Sequence, residues 1–488
     1  MKGGNEVVVT RRRFLKSAAA FVGIGVAGSL VAACGGQQAP AAPTAAPAAP
    51  TQAAAPTPAA APAPTEAPKV AVSGEKKLAV WAIKLFTQAP NDLCKEQISK
   101  YATDKGWQVE ITDTPTDVMP KLMAGIESGE VPDLVQLGSE VPQLYATEAL
   151  ADVTDVVNDL IGQYGQPVKL IERGGNFQGK WAGIPWFMYA DAFFARQDVL
   201  DAAGVKLESP FTFDQARDTA LQLSEPDKQL WGWGMTIKNG SGDGDILARH
   251  VLNSFGGSVT DESGQKVILN SPESVEAVRW LTEIYTSPKY AKMLPQGVLG
   301  WGGGSNNENF LGGKIIFTQN ASSLYWAMKT QNNPYRDKTT LLQFPKGPKH
   351  ELMGGYPYYH LTFKKSKNRD FAIEVGKHQA MTEQVVARTT IAEGASWPVF
   401  EKHINEPKVQ DYIKADKNRQ QLFKNCSHVS GWSVGWPAQP NPATAAVEVQ
   451  YLLAKMYESA IGGTSPEEAV KNTHQQCVTI FEQFGMKQ

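Results

Sequence analysis

Between residues 77 and 137, short apolar segments alternate with helical segments, and this order limits the folds that the chain can adopt. Lys77–Ile83 predicts a buried strand, Asn91–Asp104 a helix, and the segment WQVEIT a second strand. Another helical segment and a turn precede a third predicted strand, Asp133–Leu137. Strands joined in this way run parallel through right-handed crossovers, so we predict an α/β fold built on a parallel sheet.

Two polar segments follow predicted strands directly. Lys84 comes after the first strand, and Gly138-Ser139-Glu140 comes after the third. Ligands of parallel sheets bind beyond the carboxyl ends of the strands. We therefore predict that these residues lie at a ligand-facing rim.

Composition excludes several classes of function. The 488 residues are enough for two or more domains, and the formal charge is −2. Removing residues 1–33 takes away five basic residues and one acidic residue, so the remainder carries −6, which argues against a nucleic-acid partner. The four cysteines form no C-x-x-C pair, and no phosphate-binding G-x-x-x-x-G-K-[ST] or zinc-binding H-E-x-x-H motif occurs. We predict no cofactor.

The N-terminal segment predicts export and a lipid anchor. Thr10–Lys16 reads TRRRFLK and resembles a bacterial twin-arginine signal, and the apolar stretch after it is short for a membrane-spanning helix. LVAAC, ending at Cys34, resembles a lipobox, in which cleavage precedes a cysteine that receives diacylglycerol. We expect residues 1–33 to be a signal peptide, Cys34 to be lipidated, and the protein to work on the extracytoplasmic face of the bacterial membrane.

Residues 34–75 are expected to form a tether. Gln37–Pro68 contains nine prolines and 15 alanines in 32 residues, so it can form neither a regular helix nor a core. Extended polyproline II at roughly 3.1 Å per residue would give it a reach on the order of 100 Å. The folded part is predicted to begin near Lys76.

Segments in a fixed order carry a family resemblance from about Lys76 to the C terminus. They include GEVPDLVQLGS, GKWAGIPW, FLGGKIIFTQNASSLYWAM, GGYPYYHLTFKKSKNRDFAIEVGKHQAM and GTSPEEAVKN. In order and spacing they resemble the extracytoplasmic solute-binding proteins of ABC importers, in the group that includes maltose-binding protein.

The resemblance implies two α/β lobes of the class II periplasmic-binding-protein type, with ligand held between them and released or captured by hinge motion. We expect residues 76–189 with 318–361 to form lobe 1, and residues 190–317 with 362–488 to form lobe 2. The chain is expected to cross between the lobes near Met188–Asp191, Ile316–Thr318 and Leu361–Phe363.

The same resemblance points to a sugar or oligosaccharide ligand and to ABC transporter permease subunits as partners of a monomer that is not an enzyme. Sugar sites combine aromatic platforms with carboxylates, amides and a few cations. Matching segments, and tryptophans that lie beside glycines, give the expected ligand-binding residues Lys84, Glu140, Trp186, Tyr189, Trp301, Asn320, Trp397, Trp432 and Trp436.

Other readings of the chain stay open at this point. A lipid-anchored glycoside hydrolase would need two carboxylates about 5–10 Å apart across a sugar site. A sensory or adhesion module could use the same binding fold. Asn239–Asp245, NGSGDGD, has oxygen ligands at alternate positions but lacks the distal Glu of a calcium loop, so we interpret it as a polar loop at the mouth of the cleft and predict no metal.

Overall fold

The computed structural model describes residues 75–115, 118–427 and 433–488. The predicted signal peptide, Cys34, most of the tether and Trp432 lie outside the described residues. The strands are β1 (Lys77–Ala82), β2 (Gln108–Asp113), β3 (Leu134–Leu137), β4 (Asn176–Phe177), β5 (Lys180–Trp181), β6 (Ile184–Arg196), β7 (Trp231–Trp233), β8 (Ile315–Ala321), β9 (Thr339–Leu342) and β10 (Gly355–Leu361).

Helices connect and cover these strands. The first ten are α1 (Gln88–Asp104), α2 (Val118–Ser128), α3 (Val141–Ala146), α4 (Thr154–Tyr164), α5 (Lys169–Gly175), α6 (Gln197–Ala202), α7 (Phe213–Leu223), α8 (Gly242–Ser254), α9 (Pro272–Thr286) and α10 (Ser305–Leu311). The others are α11 (Ser322–Thr330), α12 (Arg369–Gln379), α13 (Thr382–Ile391), α14 (Glu401–Ile404), α15 (Pro407–Lys414), α16 (Lys417–Cys426), α17 (Pro442–Val449), α18 (Leu452–Ile461) and α19 (Pro466–Gln483). Short 3₁₀ turns lie at Pro226–Lys228, Ala291–Met293, Val298–Gly300 and Arg336–Lys338.

The predicted parallel strands are confirmed in the first half of the molecule. β1 pairs in parallel with β2 and with β3, in the order predicted from the alternating segments. β10 extends this sheet antiparallel to β3 and to the first part of β6. The local signals sufficed here because apolar runs bounded by turns and helices specify strands without help from distant residues.

β6 joins this sheet to a second one. Its residues 184–190 pair with β10, whereas residues 191–196 pair with β8 and β9. β7 completes the second sheet by pairing in parallel with β8. All 13 residues of β6 are buried, so one continuous strand is shared by two α/β halves.

The strand pairing and helix packing group the elements differently from the predicted lobe boundaries. β8 and β9 pair with the second part of β6, and α12 and α13 both pack against α1 of the first half. The predicted division places residues 318–361 with lobe 1 and α12 with lobe 2, so it separates these partners. The contacts favour crossings near Asp191, between β9 and β10, and near Trp397, which bridges to Met188.

Candidate functional site

A cavity of about 420 Å³ lies between the two halves, where β6 and β10 run side by side. The segment after β3 contributes lining residues from one half, and helices α8 and α17 contribute lining residues from the other. Its walls are formed by Val118, Met119, Pro120, Ser139, Glu140, Tyr189, Asp191, Gly242, Asp245, Ile246, Arg249, Ala321, Tyr356, Tyr358, Glu448, Val449 and Tyr451.

The turn after β3 brings Glu140 to the cavity. Gly138 makes this turn possible, because a Cβ at this position would lie 2.7 Å from the carbonyl oxygen of Pro357 in β10. The Gly138 backbone N–H donates to Oε2 of Glu140 over 3.3 Å, which orients the carboxylate. Glu140 is half-buried, and its burial raises the pKa of its carboxyl.

Aromatic side chains on two neighbouring strands form the floor. In β6, Tyr189 and Asp191 are two residues apart and therefore share a face, as Tyr356 and Tyr358 do in β10. Tyr356 is directly opposite Tyr189 in the strand pairing. The ring of Tyr358 meets that of Tyr189 edge-on at 6.4 Å and stacks on Phe187 at 4.7 Å. These contacts hold the rings as a rigid surface.

Helix α8 supplies one wall through a single helical face. Gly242, Asp245, Ile246 and Arg249 follow one another at intervals of three, one and three residues, which places them on the same side. Arg249 is 1% exposed, and its guanidinium donates to the Tyr356 hydroxyl over 3.1 Å and to Oε1 of Glu448 over 3.3 Å. Asp245 Oδ2 lies 3.6 Å from the same guanidinium.

Carboxyl groups dominate the electrostatics of the cavity. Burial raises the pKa of Asp191 and of Glu448 to about 7, and that of Asp245 to about 6. Asp243, next to the cavity, also has its pKa raised to about 6 by burial. The positive charge of Arg249 lowers the pKa values of Asp191, Asp245 and Glu448, but burial outweighs it. The site is thus rich in hydrogen-bond acceptors and weakly acidic groups.

A larger crevice, of about 830 Å³, includes Pro142, Tyr145 and Ala146 of α3 in its lining. Tyr145 and Phe177 stack at 4.7 Å in its wall, beside Lys180 and Asn441. It does not reach the strands β6 and β10 that connect the two halves. The smaller cavity is the better candidate site, because ligands of such sheets bind at the strand ends.

The structure brings two predicted site residues, Glu140 and Tyr189, together in the cavity wall. Asn320 is buried nearby, where its amide donates to Asn307 and to Oδ2 of Asp243. Lys84 is on the surface, 70% exposed, and pairs with Asp113 at 3.3 Å. Whether any of these side chains contacts a ligand stays a prediction.

The described tryptophans of the predicted set do not line the cavity. Trp186 packs in the core under Arg388, whose guanidinium lies 5.4 Å from its ring and donates to its carbonyl oxygen. Trp397 is fully buried against Tyr412 and Phe423. Trp301 is buried in the core, too.

Trp436 is half-buried and meets His350 edge-on at 5.1 Å. Its carbonyl oxygen accepts a hydrogen bond from Ser258. This tryptophan therefore helps to attach its own loop to the second half.

Several residues that line the cavity were not among the predicted ligand-binding residues. The alternation of Tyr356 and Tyr358 was a usable signal, because it places two rings on one face of a strand that returns to the first half. Asp191, Arg249 and Glu448 had no such local signal. The segment Asn239–Asp245, expected as a loop, is helical from Gly242 onward and brings Asp245 to the cavity.

Metal ligands, thiols and apolar helices of the described ranges add no further candidate site. No group of three or more His, Cys, Asp or Glu residues there could hold a metal ion, and Cys94, Cys426 and Cys477 are buried free thiols. Among the described helices, none combines the length and apolar character that a membrane crossing requires.

Comparison with known proteins places these features in a family. The family model "Bacterial extracellular solute-binding protein" matches residues 86–377. A probable ABC transporter-binding protein of Deinococcus radiodurans is 22% identical over 275 residues, covering 54% of this chain and 62% of the relative. An arabinooligosaccharide-binding protein of Halalkalibacterium halodurans is 23% identical over 207 residues, covering 39% of this chain and 44% of the relative. The match thus spans less than two thirds of the length of either curated relative.

A solved structure supports the same fold. An ABC transporter solute-binding protein of Thermotoga lettingae, bound with alpha-D-tagatose, has a TM-score of 0.70 and 16% identity. The match covers 83% of this chain and 100% of that one.

Two α/β halves joined through a shared strand, with a cavity between them, define the class of two-lobed α/β binding proteins. This chain belongs to the bacterial extracellular solute-binding protein family. The predicted fold class and the predicted family are therefore confirmed.

Proposed function

We propose that this protein is an extracytoplasmic substrate-binding lipoprotein that captures a sugar or oligosaccharide between its lobes and delivers it to an ABC transporter permease. The observation that carries the proposal is the cavity between the halves, with tyrosine rings on its floor and carboxylates on its walls. Rings offer flat surfaces for the C–H faces of a sugar, and carboxylates accept hydrogen bonds from its hydroxyls. The ligands of two similar proteins, an arabinooligosaccharide and tagatose, are of the same class.

The continuous strand β6 supports closure by a hinge. Its pairing partners change at Ala190–Asp191, and both Tyr189 and Asp191 line the cavity at this point. A ligand that contacts both halves stabilises the closed arrangement over the open one in proportion to the difference in its affinity for the two states. The permease would then recognise the loaded, closed monomer. This function needs binding without chemical turnover.

The N-terminal segment supports anchoring outside the cytoplasm. In this proposal the TRRRFLK signal directs export, Cys34 carries the lipid, and the proline-rich segment keeps the binding lobes close to the permease. Exchange of Cys34 for serine should move the protein from the membrane fraction to the soluble extracytoplasmic fraction. Unchanged membrane association would contradict the lipid anchor without affecting the binding proposal.

A carbohydrate thermal-shift screen of residues 75–488 tests the binding proposal. A sugar present at 100 times its Kd should stabilise the folded state by about 2.7 kcal/mol. Chromatography of the recovered sugar should show no cleavage. Stabilisation by amino acids, polyamines or phosphoesters alone would overturn the ligand class, and turnover of an oligosaccharide would favour a glycoside hydrolase.

A further inference from the structure

The walls of the cavity between the halves carry unbalanced charge. Four of the described lining residues have carboxyl groups: Glu140, Asp191, Asp245 and Glu448. Among the lining residues that the structure describes, Arg249 alone is a cation. A ligand that enters therefore meets an excess of carboxyl groups.

Arg249 already interacts with two of these carboxylates and with a tyrosine of the floor. Its guanidinium donates to Glu448 and to the Tyr356 hydroxyl, and it lies 3.6 Å from Asp245. A guanidinium has five N–H donors in a fixed fork, and those bonds commit it to the protein's own groups. It acts as an internal counter-ion, so it is poorly placed to receive an anionic ligand.

Asp191 is the lining carboxylate whose hydrogen-bonding capacity is least satisfied by the protein. It is fully buried, and neither of its oxygens has a protein hydrogen bond of regular geometry, although the Tyr356 hydroxyl lies close enough to lower its pKa. Oδ1 of Asp245 is also buried without a hydrogen-bond partner. A buried carboxylate without donors is unfavourable, so these oxygens point to a donor supplied by the ligand.

The aromatic floor adds a second reason for a positive ligand. Tyr189, Tyr356, Tyr358 and Tyr451 line the cavity together with Asp191. The faces of aromatic rings attract cations, and this attraction grows when the cation is desolvated. The same rings can stack on a sugar, so a sugar and a positive charge can be accommodated together.

We propose that the cavity selects a sugar that carries a protonated amine, with Asp191 as the counter-ion of the ammonium group and the tyrosines as the surface under the ring. The inference rests on the proposed function and names its substrate class: amino sugars and their short oligomers. Sugars with carboxylate or phosphate groups are rejected, because they would meet the carboxyl groups without a free cation.

Matched ligand pairs test the inference by titration calorimetry on residues 75–488. The members of each pair differ only in having an amine or a hydroxyl at C2: glucosamine with glucose, galactosamine with galactose, and the glucosamine disaccharide, which carries two amines, with cellobiose. At a pH below that of amine deprotonation, the amine member of at least one pair should bind at least about tenfold more tightly, equivalent to about 1.4 kcal/mol. N-acetylation, which removes the charge, should abolish that preference.

Substitutions identify the residue that is responsible for the amine preference. Asp191→Asn keeps the shape of the side chain and should lower the affinity for the amine at least about tenfold, while the hydroxyl analogue changes less than about threefold. Glu140→Gln, in the half-buried turn after β3, provides a second variant if Asp191→Asn folds poorly. Asp337→Asn removes a 75% exposed carboxylate that is not part of the cavity lining and should change neither affinity.

The possible outcomes separate this inference from the proposed function. Equal or tighter binding of the neutral or acidic sugars overturns the amine preference and leaves carbohydrate binding in place. An amine preference that survives Asp191→Asn overturns Asp191 as the counter-ion, and one that also survives Glu140→Gln overturns a role of Glu140 in the preference. Absence of binding by every carbohydrate overturns the proposed function as well.

Discussion

The guanidinium of Arg249 donates to the hydroxyl of Tyr356 over 3.1 Å, and this bond connects helix α8 of one half to strand β10 of the other. The same guanidinium reaches Glu448 on α17. A single buried cation thus holds three elements of the cavity wall together. Its removal should disturb both the stability of the fold and the shape of the site.

Arg249→Gln should destabilise the protein strongly. It leaves Glu448 and Asp245 without their shared cation in a buried setting, and breaking such a pair costs about 3–5 kcal/mol. Urea unfolding followed by circular dichroism measures the loss. Arg279→Gln, which breaks an exposed pair with Glu467, should cost about 1 kcal/mol or less. Equal effects of the two substitutions would contradict the assigned role of Arg249.

Tyr451→Gly should separate binding from stability. Tyr451 has a φ of 54°, in the left-handed region that glycine adopts without strain, and its ring lines the cavity. Relief of about 1–2 kcal/mol of strain should offset the lost packing, while sugar affinity falls several-fold. Gln229→Gly is the control, because Gln229 has the same φ of 54° and is exposed outside the cavity wall. It should raise stability and leave affinity unchanged; a loss of affinity there would argue against a specific role of Tyr451.

Asp191→Asn should change how stability depends on pH. Burial raises the pKa of Asp191 from its ordinary 3.8 to about 7, so the folded state binds this proton more tightly than the unfolded state. Its contribution to stability is therefore complete below about pH 4 and is lost as the pH rises to about 7. Relative to the wild type, the variant should gain at least about 1 kcal/mol between pH 5 and pH 8. Parallel pH profiles of the free energy of unfolding would contradict the buried titration.

Gly138→Ala should displace the turn that presents Glu140. The added methyl group would meet the Pro357 carbonyl at 2.7 Å and the Tyr358 ring at 3.2 Å, so the strands must shift. We expect a loss of about 1–3 kcal/mol in unfolding free energy. Gly162→Ala is the control: its methyl group meets nothing within 4 Å in helix α4 and should stabilise by about 0.5–1 kcal/mol. If the two variants were equally stable, the methyl group at residue 138 would meet no close neighbour, and the close approach of the turn to β10 would be contradicted.

Local signals predicted the elements of the fold better than they predicted the site. The apolar segments predicted as β1 and β3 form strands, because each depends on neighbouring residues. Glu140 reached the cavity for a similar reason, since it follows a parallel strand directly. The tryptophans were selected from matching segments and from their glycine neighbours, and Trp186 and Trp397 pack into cores that only tertiary contacts define.

The remaining cavity residues depend on pairing between distant segments. Asp191 and Tyr356 meet because β6 and β10 lie side by side in one register, which no short stretch of sequence specifies. Arg249 and Glu448 lie on helices, where charged residues usually face water. Their burial results from the packing of α8 and α17 around one cavity. The residue pattern alone could not predict it.

Carbohydrate should bind in the cavity between the halves and not in the larger crevice. The most direct measurement is titration calorimetry of the tightest sugar from the screen with the wild type, Tyr358→Ala in the cavity and Tyr145→Ala in the larger crevice. We predict that Tyr358→Ala lowers the affinity at least about tenfold, whereas Tyr145→Ala changes it less than about twofold. A loss of affinity in Tyr145→Ala with wild-type binding in Tyr358→Ala would contradict the account.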